Sequence, residues 1–307
     1  MPFDGIRPVL HLPFAPGPDQ PIVHDELRAL VDDQIRLGVR GLVALGLASE
    51  AWTLRETERD EVLATVAAAI DGRVPFAVGI DGTTVVARDR ARQAVAVGAS
   101  GLMVLPPVGI RPGRALIDHF AAVADAGGVP ILVQDSPQIT GVAIGIDGLV
   151  AMRDADPRVG AIKIETAGAG EKASAAIAAG IEVVAGWGGQ HYLESIRRGA
   201  TGCMPGCDLG PALVEIDRRA REGDGAGADA LYRTILPLLS YEAQSLDLLL
   251  LGAKRVLTRR GIFVSGALRA PGRGLDPEEV ATLDGLIARL QADGVAGFAR
   301  TAEGIAR

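Results

Sequence analysis

Lysine is scarce in this chain: of 31 basic residues only Lys163, Lys172 and Lys254 are lysines, and the rest are arginine. Lys163 stands in an apolar run, Val159-Gly160-Ala161-Ile162-Lys163-Ile164, followed by Glu165 and Thr166. An ammonium in such a run is expensive to desolvate. The same desolvation favours the neutral amine, which can condense with a ketone to an imine, a reaction closed to arginine. Glu165 lies two residues on. In a strand, residues i and i+2 share a face, so a carboxylate stands beside the amine as a proton acceptor. The plainer alternative is a strand-end lysine that reaches solvent or simply pairs with a glutamate.

Apolar β-like runs at 7–13, 41–45, 74–79, 101–105, 130–134, 159–164, 182–185 and 202–204 would position that pair. Amphipathic helical stretches alternate with them at 25–37, 54–70, 84–97, 112–126, 146–154, 170–179, 190–198 and 211–221, with Thr83 or Thr84 a cap and Pro112 in a first turn. Strands of near-continuous Val, Ile and Leu fit burial on both faces of a parallel sheet. Eight strand–helix units in about 220 residues predict a (β/α)8 TIM barrel. An open doubly wound sheet is the alternative, but no Gly-x-Gly-x-x-Gly opens the first helix and no P-loop is present. Residues 1–223 form the barrel in this reading. Residues 224–307 form a C-terminal three-helix extension, with helices at 225–239, 240–260 and 277–290. It is too apolar to stand alone and joins without a linker, so it packs on the barrel or on another subunit.

Composition narrows the function. The chain is 48% hydrophobic and 22% charged over 307 residues, with a formal charge of −7. That balance gives nucleic acid no reason to bind. No apolar run is long enough to span a membrane, and no secretory leader is apparent. Cys203 and Cys207 do not make a disulfide framework or a zinc knuckle. We therefore expect a cytoplasmic protein with no metal.

Barrel chemistry belongs at the C-terminal ends of the strands, which nominates Ala48, Ser49 and Glu50 after strand two, Gln134 at the end of strand five, and Gly186 after strand seven. Ser49 and neighbouring amides are candidates for a substrate carboxylate, and Gln134 for the imine or a hydroxyl. Glu50 supports the loop. Each also has a purely structural alternative. His11, His119, His191, Tyr192 and Lys254 read as packing, capping or helix-to-barrel contacts.

Gly46-x-x-x-Glu50 followed by Thr53-Leu54 and Glu58-Arg59, Gly98-Ala99, Pro137 and Ile162-Lys163 together resemble the dihydrodipicolinate synthase / N-acetylneuraminate lyase family of lysine-dependent aldolases and dehydratases. The likeness covers the chain from Gly5 to about Leu290. It implies that Lys163 forms a Schiff base with a 2-oxo acid, that no cofactor is needed beyond this covalent imine, and that the protein is a homo-oligomer, a tetramer or dimer. The departures are informative. The family's Gly-Thr-Thr-Gly-Glu is here Gly46-Leu47-Ala48-Ser49-Glu50, its two site tyrosines become Val108 and Gln134, and its substrate-binding arginine becomes Ile139. Val133-Gln134-Asp135-Ser136-Pro137 and Lys163-Ile164-Glu165-Thr166 with Lys172 resemble the 2-keto-3-deoxy-L-arabonate dehydratase branch. This implies dehydration of a 2-keto-3-deoxy sugar acid to a semialdehyde. A class I pyruvate aldolase and a catalytically weak 2-oxo-acid-binding protein are the alternatives.

Overall fold

A computed structural model describes residues 2–298. Eight parallel strands, β1 Gly5–Ile6, β2 Leu42–Ala44, β3 Phe76–Ile80, β4 Gly101–Val104, β5 Ile131–Asp135, β6 Val159–Ile164, β7 Glu182–Ala185 and β8 Gly202–Cys203, lie in the order β1-β8-β7-β6-β5-β4-β3-β2. A parallel bridge, Val9↔Val43, joins the two ends of that order, and the Arg40, Val43 and Leu10 amides add bonds between the β1 segment and β2. The structure is the expected (β/α)8 barrel.

Strand one is shorter than the sequence reading. Pro8 and Pro13 have no amide hydrogen to give a ladder, so regular pairing stops at Ile6 and the chain beyond it is held by single bonds such as Val9 N–H to Pro205 O, 2.8 Å.

Alternation along the strands divides the core. Val43, Ala77, Met103, Leu132, Ala161 and Val184 fill the barrel interior with Phe3 and Val9. Their neighbours Leu42, Leu102, Ile131, Val133 and Ile162 face outward under the helices. This is the interior and exterior alternation of a closed barrel, and it explains strands that are apolar on both sides.

The barrel helices are α1 His24–Arg36, α2 Glu56–Ile70, α3 Thr84–Ala96, α4 Arg114–Gly127, α5 Pro137–Thr140, α6 Ile146–Ala155, α7 Ala169–Ala178, α8 Tyr192–Arg198 and α9 Gly210–Arg221. Three details differ from expectation. Pro112 precedes α4 rather than opening it, because Gly113, at φ 136°, makes the entry. Thr83 is the N-cap of α3 without a side-chain cap bond, and the neighbouring Thr84 hydroxyl meets His119 Nδ1 at 3.0 Å instead. His191 likewise occupies the N-cap of α8 without capping it through its ring.

The tail forms α10 Gly225–Glu242, α11 Leu246–Arg260 and α12 Pro277–Ala292. The break between the first two falls at 243–245, not at 239, because Ser245 is the residue whose hydroxyl accepts from Leu248 N–H, 3.1 Å. Ile235, Leu238, Leu239, Leu283 and Ile287 of the tail share one buried cluster with Leu193, Leu213 and Ile216 of α8 and α9. Residues 299–307, the end of the 224–307 extension, lie outside the described residues. Among the described residues, no helix is long and apolar enough to cross a membrane.

Candidate active site

The register brings Gln134, Lys163 and Val184 side by side across β5, β6 and β7. Lys163 follows the inward-facing Ala161 by two residues and so points into the barrel. Its Nζ lies 2.9 Å from Glu165 Oε1, with only 5% of each side chain exposed. Gln134 Nε2 donates to the other carboxylate oxygen, Oε2, at 2.8 Å. The amide of Trp187 donates to Oε1 at 3.1 Å. Glu165 is also fixed through its backbone: its N–H donates to Asp135 O, and Gln138 Nε2 donates to its carbonyl.

Burial pushes the Glu165 carboxyl up. The Lys163 ammonium, with the hydrogen bonds from Gln134, Lys163 and Trp187, outweighs burial and holds the group below the usual carboxylate range. The amine and a charged carboxylate thus share one dry chamber with donors aimed at the carboxylate.

That chamber is a small cavity of about 30 Å³ at the C-terminal ends of the strands. Lys163, Glu165, Leu47, Ala48, Val9, Met204, Pro205 and Gly206 line it from the barrel, Trp187 and Gly188 from the β7 loop, and Leu246 and Leu249 from α11. A wider cleft of about 370 Å³ lies on the other side of Glu165 and Trp187, beside Gln138, Thr166, Gln190 and His191.

Three of the five non-glycine residues with positive φ among the described residues border this region: Leu45 at 56°, Glu50 at 52° and Trp187 at 49°. Such backbone strain persists only where the surroundings enforce it, and it concentrates at functional sites. Leu45 and Glu50 bracket the 3₁₀ turn Leu47–Ser49. The first amides of a helical turn have no acceptor within it, and Ala48 faces the cavity there.

The remaining nominated residues fall as follows. The Ser49 hydroxyl donates to Leu10 O at 2.5 Å and is fully buried outside the cavity lining, so it ties the turn to the β1 segment. Gln134 meets Glu165 rather than open space. Gly186 packs directly on Glu165, where a Cβ would collide with the Glu165 side chain. Glu50 holds the loop: it forms an ion pair with Lys254 and accepts from Arg269 N–H at 2.8 Å. Lys254 is fully buried and makes the helix-to-barrel contact read for it. Burial lifts Glu50 and lowers Lys254, each against the pull of the other charge.

Sequence reasoning missed the roles of Leu246 and Leu249 in walling the cavity. It also missed the pair of Lys172 with the fully buried Asp135, 2.6 Å, which braces the end of β5 against α7. His11 is buried with neither ring nitrogen partnered, and burial, then Lys254, lowers it to about 3. His119 packs edge-on against Phe120. Cys203 and Cys207 are free, buried thiols pushed up by burial. Among the described residues, no group of three or more His, Cys, Asp or Glu is placed to hold a metal ion.

The dihydrodipicolinate synthetase family model matches residues 2–290. The L-2-keto-3-deoxyarabonate dehydratase of Azospirillum brasilense is 32% identical over 295 residues, covering 93% of this chain and 94% of that protein. The 4-hydroxy-tetrahydrodipicolinate synthase of Ruegeria pomeroyi is 29% identical over 295 residues, covering 92% and 97%. The crystal structure of dihydrodipicolinate synthase from Rhodopseudomonas palustris superposes with a TM-score of 0.86 at 26% identity, covering 94% of this chain and 98% of that one.

Proposed function

This chain belongs to the dihydrodipicolinate synthetase family, and on that premise we propose that it is a Schiff-base lyase that dehydrates a 2-keto-3-deoxy sugar acid of the 2-keto-3-deoxy-L-arabonate type. The observation that carries the reading is the buried 2.9 Å contact between Lys163 Nζ and Glu165 Oε1 on the cavity floor. Similarity over nearly the whole chain to a 2-keto-3-deoxyarabonate dehydratase supports the substrate class.

Glu165 takes a proton from Lys163, and the neutral amine adds to the C2 ketone with loss of water to give an iminium. The iminium acidifies C3. Glu165, already relieved of the first proton, removes one from C3 and leaves an enamine. The C4 hydroxyl departs as water, taking that proton. The conjugated iminium tautomerises, and water hydrolyses it to a semialdehyde and free Lys163. One water is lost overall. The amides at Leu47 and Ala48 hold the C1 carboxylate, and Gln134 and Trp187 keep the carboxylate of Glu165 turned toward C3. Neither step needs a tyrosine at the C4 hydroxyl, and Val108 and Gln134 stand where the resembling family carries tyrosines.

The test is borohydride trapping with pyruvate and with a 2-keto-3-deoxypentonate, followed by peptide mass spectrometry. We expect a reduced adduct on Lys163 with either acid, none in Lys163→Ala, and semialdehyde rather than pyruvate as the product of turnover. Pyruvate release would move the protein to the aldolases of the family. No adduct with either acid would leave only a 2-oxo-acid-binding role.

A further inference from the structure

Trp187 bonds both to the candidate base and to the tail helices. Its amide reaches Glu165 Oε1, and its indole Nε1–H donates to Ala243 O, 3.0 Å, at the C-terminal cap of α10. Between those bonds its backbone sits at φ 49°, in the left-handed region that side chains avoid. On one side Gly186 is packed against Glu165, where a Cβ would collide, and on the other Gly188 lies in ordinary contact range of Leu239 of α10 and Leu249 of α11.

We propose that Trp187 is a positioning residue for the base: the indole bond to α10 holds residue 187 left-handed, and that conformation aims its amide at the Glu165 carboxylate. Docking of the tail helices thereby adds one of the donors that favour a charged Glu165. The inference rests on the reading of Glu165 as the base. The titratable groups around Glu165 are Lys163 from β6, Cys203 from β8, whose thiol burial keeps neutral, and His191, which lines the same outer cleft. Gln134 supplies the other side-chain donor. Loss of the Trp187 amide removes one of the bonds that favour the carboxylate form, so the pKa of Glu165 rises.

The readout is exchange of the methyl protons of pyruvate for deuterium, followed by NMR across pH. It needs the imine and the base but not the native substrate. Trp187→Phe keeps an aromatic ring and loses the N–H donor. We expect the acid limb of its exchange profile to move up by as much as about one pH unit, with a loss that approaches tenfold only on the acid side of the wild-type limb and is small at neutral pH. Trp187→Ala and Trp187→Gly both lose the ring, but only glycine adopts positive φ freely. The shift in the glycine variant should therefore be less than half that in the alanine variant. Borohydride trapping on Lys163 verifies that each variant retains a formed site. A wild-type limb in Trp187→Phe would overturn the indole anchor, and equal shifts in the alanine and glycine variants would overturn the backbone aiming. Glu165→Gln separates the two levels. If it exchanges at the wild-type rate while still trapping, the base assignment itself fails. If it is inactive, the Trp187 variants decide the inference alone.

Discussion

Asp208 and Glu242 are two buried carboxyls that the proposed chemistry does not use. Asp208 follows β8, and Glu242 ends α10. Burial lifts Asp208 to about 6. Burial, then the Asp208 charge and a hydrogen bond with it, raises Glu242 well above the usual range. One oxygen of each, Asp208 Oδ2 and Glu242 Oε1, has no protein partner. A carboxyl whose pKa is higher folded than unfolded binds more protons in the native state, so stability falls as pH rises from the unfolded pKa through the folded one. The pair therefore costs nothing near pH 3.5, and for Asp208 the cost builds up to about 6. Above that it is on the order of 2–3 kcal/mol. Asp208→Asn should remove most of it. Urea midpoints should show the variant gaining on wild type at pH 8 and not at pH 4. A difference between the two proteins that is constant with pH would mean that the pair does not titrate as placed. This pair was illegible in the sequence because its members come together only when α10 docks. Lys163 and Glu165 were legible, because a charge inside an apolar strand contradicts its surroundings wherever the strand goes. Gln134 was nominated by its place at a strand end. Its contact with Glu165 depends on the register between β5 and β6, which spacing along one strand does not specify.

At the scale of elements, α11 is fastened to the barrel by two buried charges. Arg260 meets Asp33 of α1 at 2.7 Å. Lys254 pairs with Glu50 after β2, donates to Ala267 O at 2.9 Å, and lies 4.6 Å from the centre of the Phe14 ring. Glu50 in turn carries the left-handed backbone that ends the Leu47–Ser49 turn. Replacing one partner leaves the other charge buried and uncompensated, whereas replacing both removes the desolvation cost with the pair. Lys254→Met should lower stability by roughly 3–5 kcal/mol, and the double variant Glu50→Leu/Lys254→Met by much less. Chemical denaturation of the four proteins in the cycle measures this, and a double variant as unstable as the sum of the singles would show that the charges are not coupled. The alternation of elements was readable from hydrophobic period and from Gly and Pro punctuation. Their ends were less so: strand one is cut short by prolines that still lie in an apolar run, and the break between α10 and α11 is set by which serine caps.

At the scale of the whole molecule, the tail is part of the core rather than an attachment to it, since α8 to α12 share one buried cluster. What the fold leaves uncovered is on the opposite side of the strand order. Of six large apolar residues exposed among the described ones, Trp52, Val85, Val86 and Val108 follow the adjacent strands β2, β3 and β4, with Trp52 51% and Val108 78% exposed. Single exposed apolar residues are ordinary, but several on neighbouring segments mark an interaction surface, and here Val85 and Val86 open α3. A face repeated on identical chains pairs with itself about a two-fold axis, so we propose that these segments meet the same segments of a second copy. Sedimentation velocity at micromolar concentration should then give a species larger than the 31.7 kDa chain. Trp52→Asp with Val108→Asp should shift it toward the monomer, because desolvating introduced carboxylates opposes association. Neither residue lines the Lys163 cavity, so borohydride trapping on Lys163 should persist. A monomeric wild type, or an assembly indifferent to both aspartates, would place the contact between copies elsewhere or remove it.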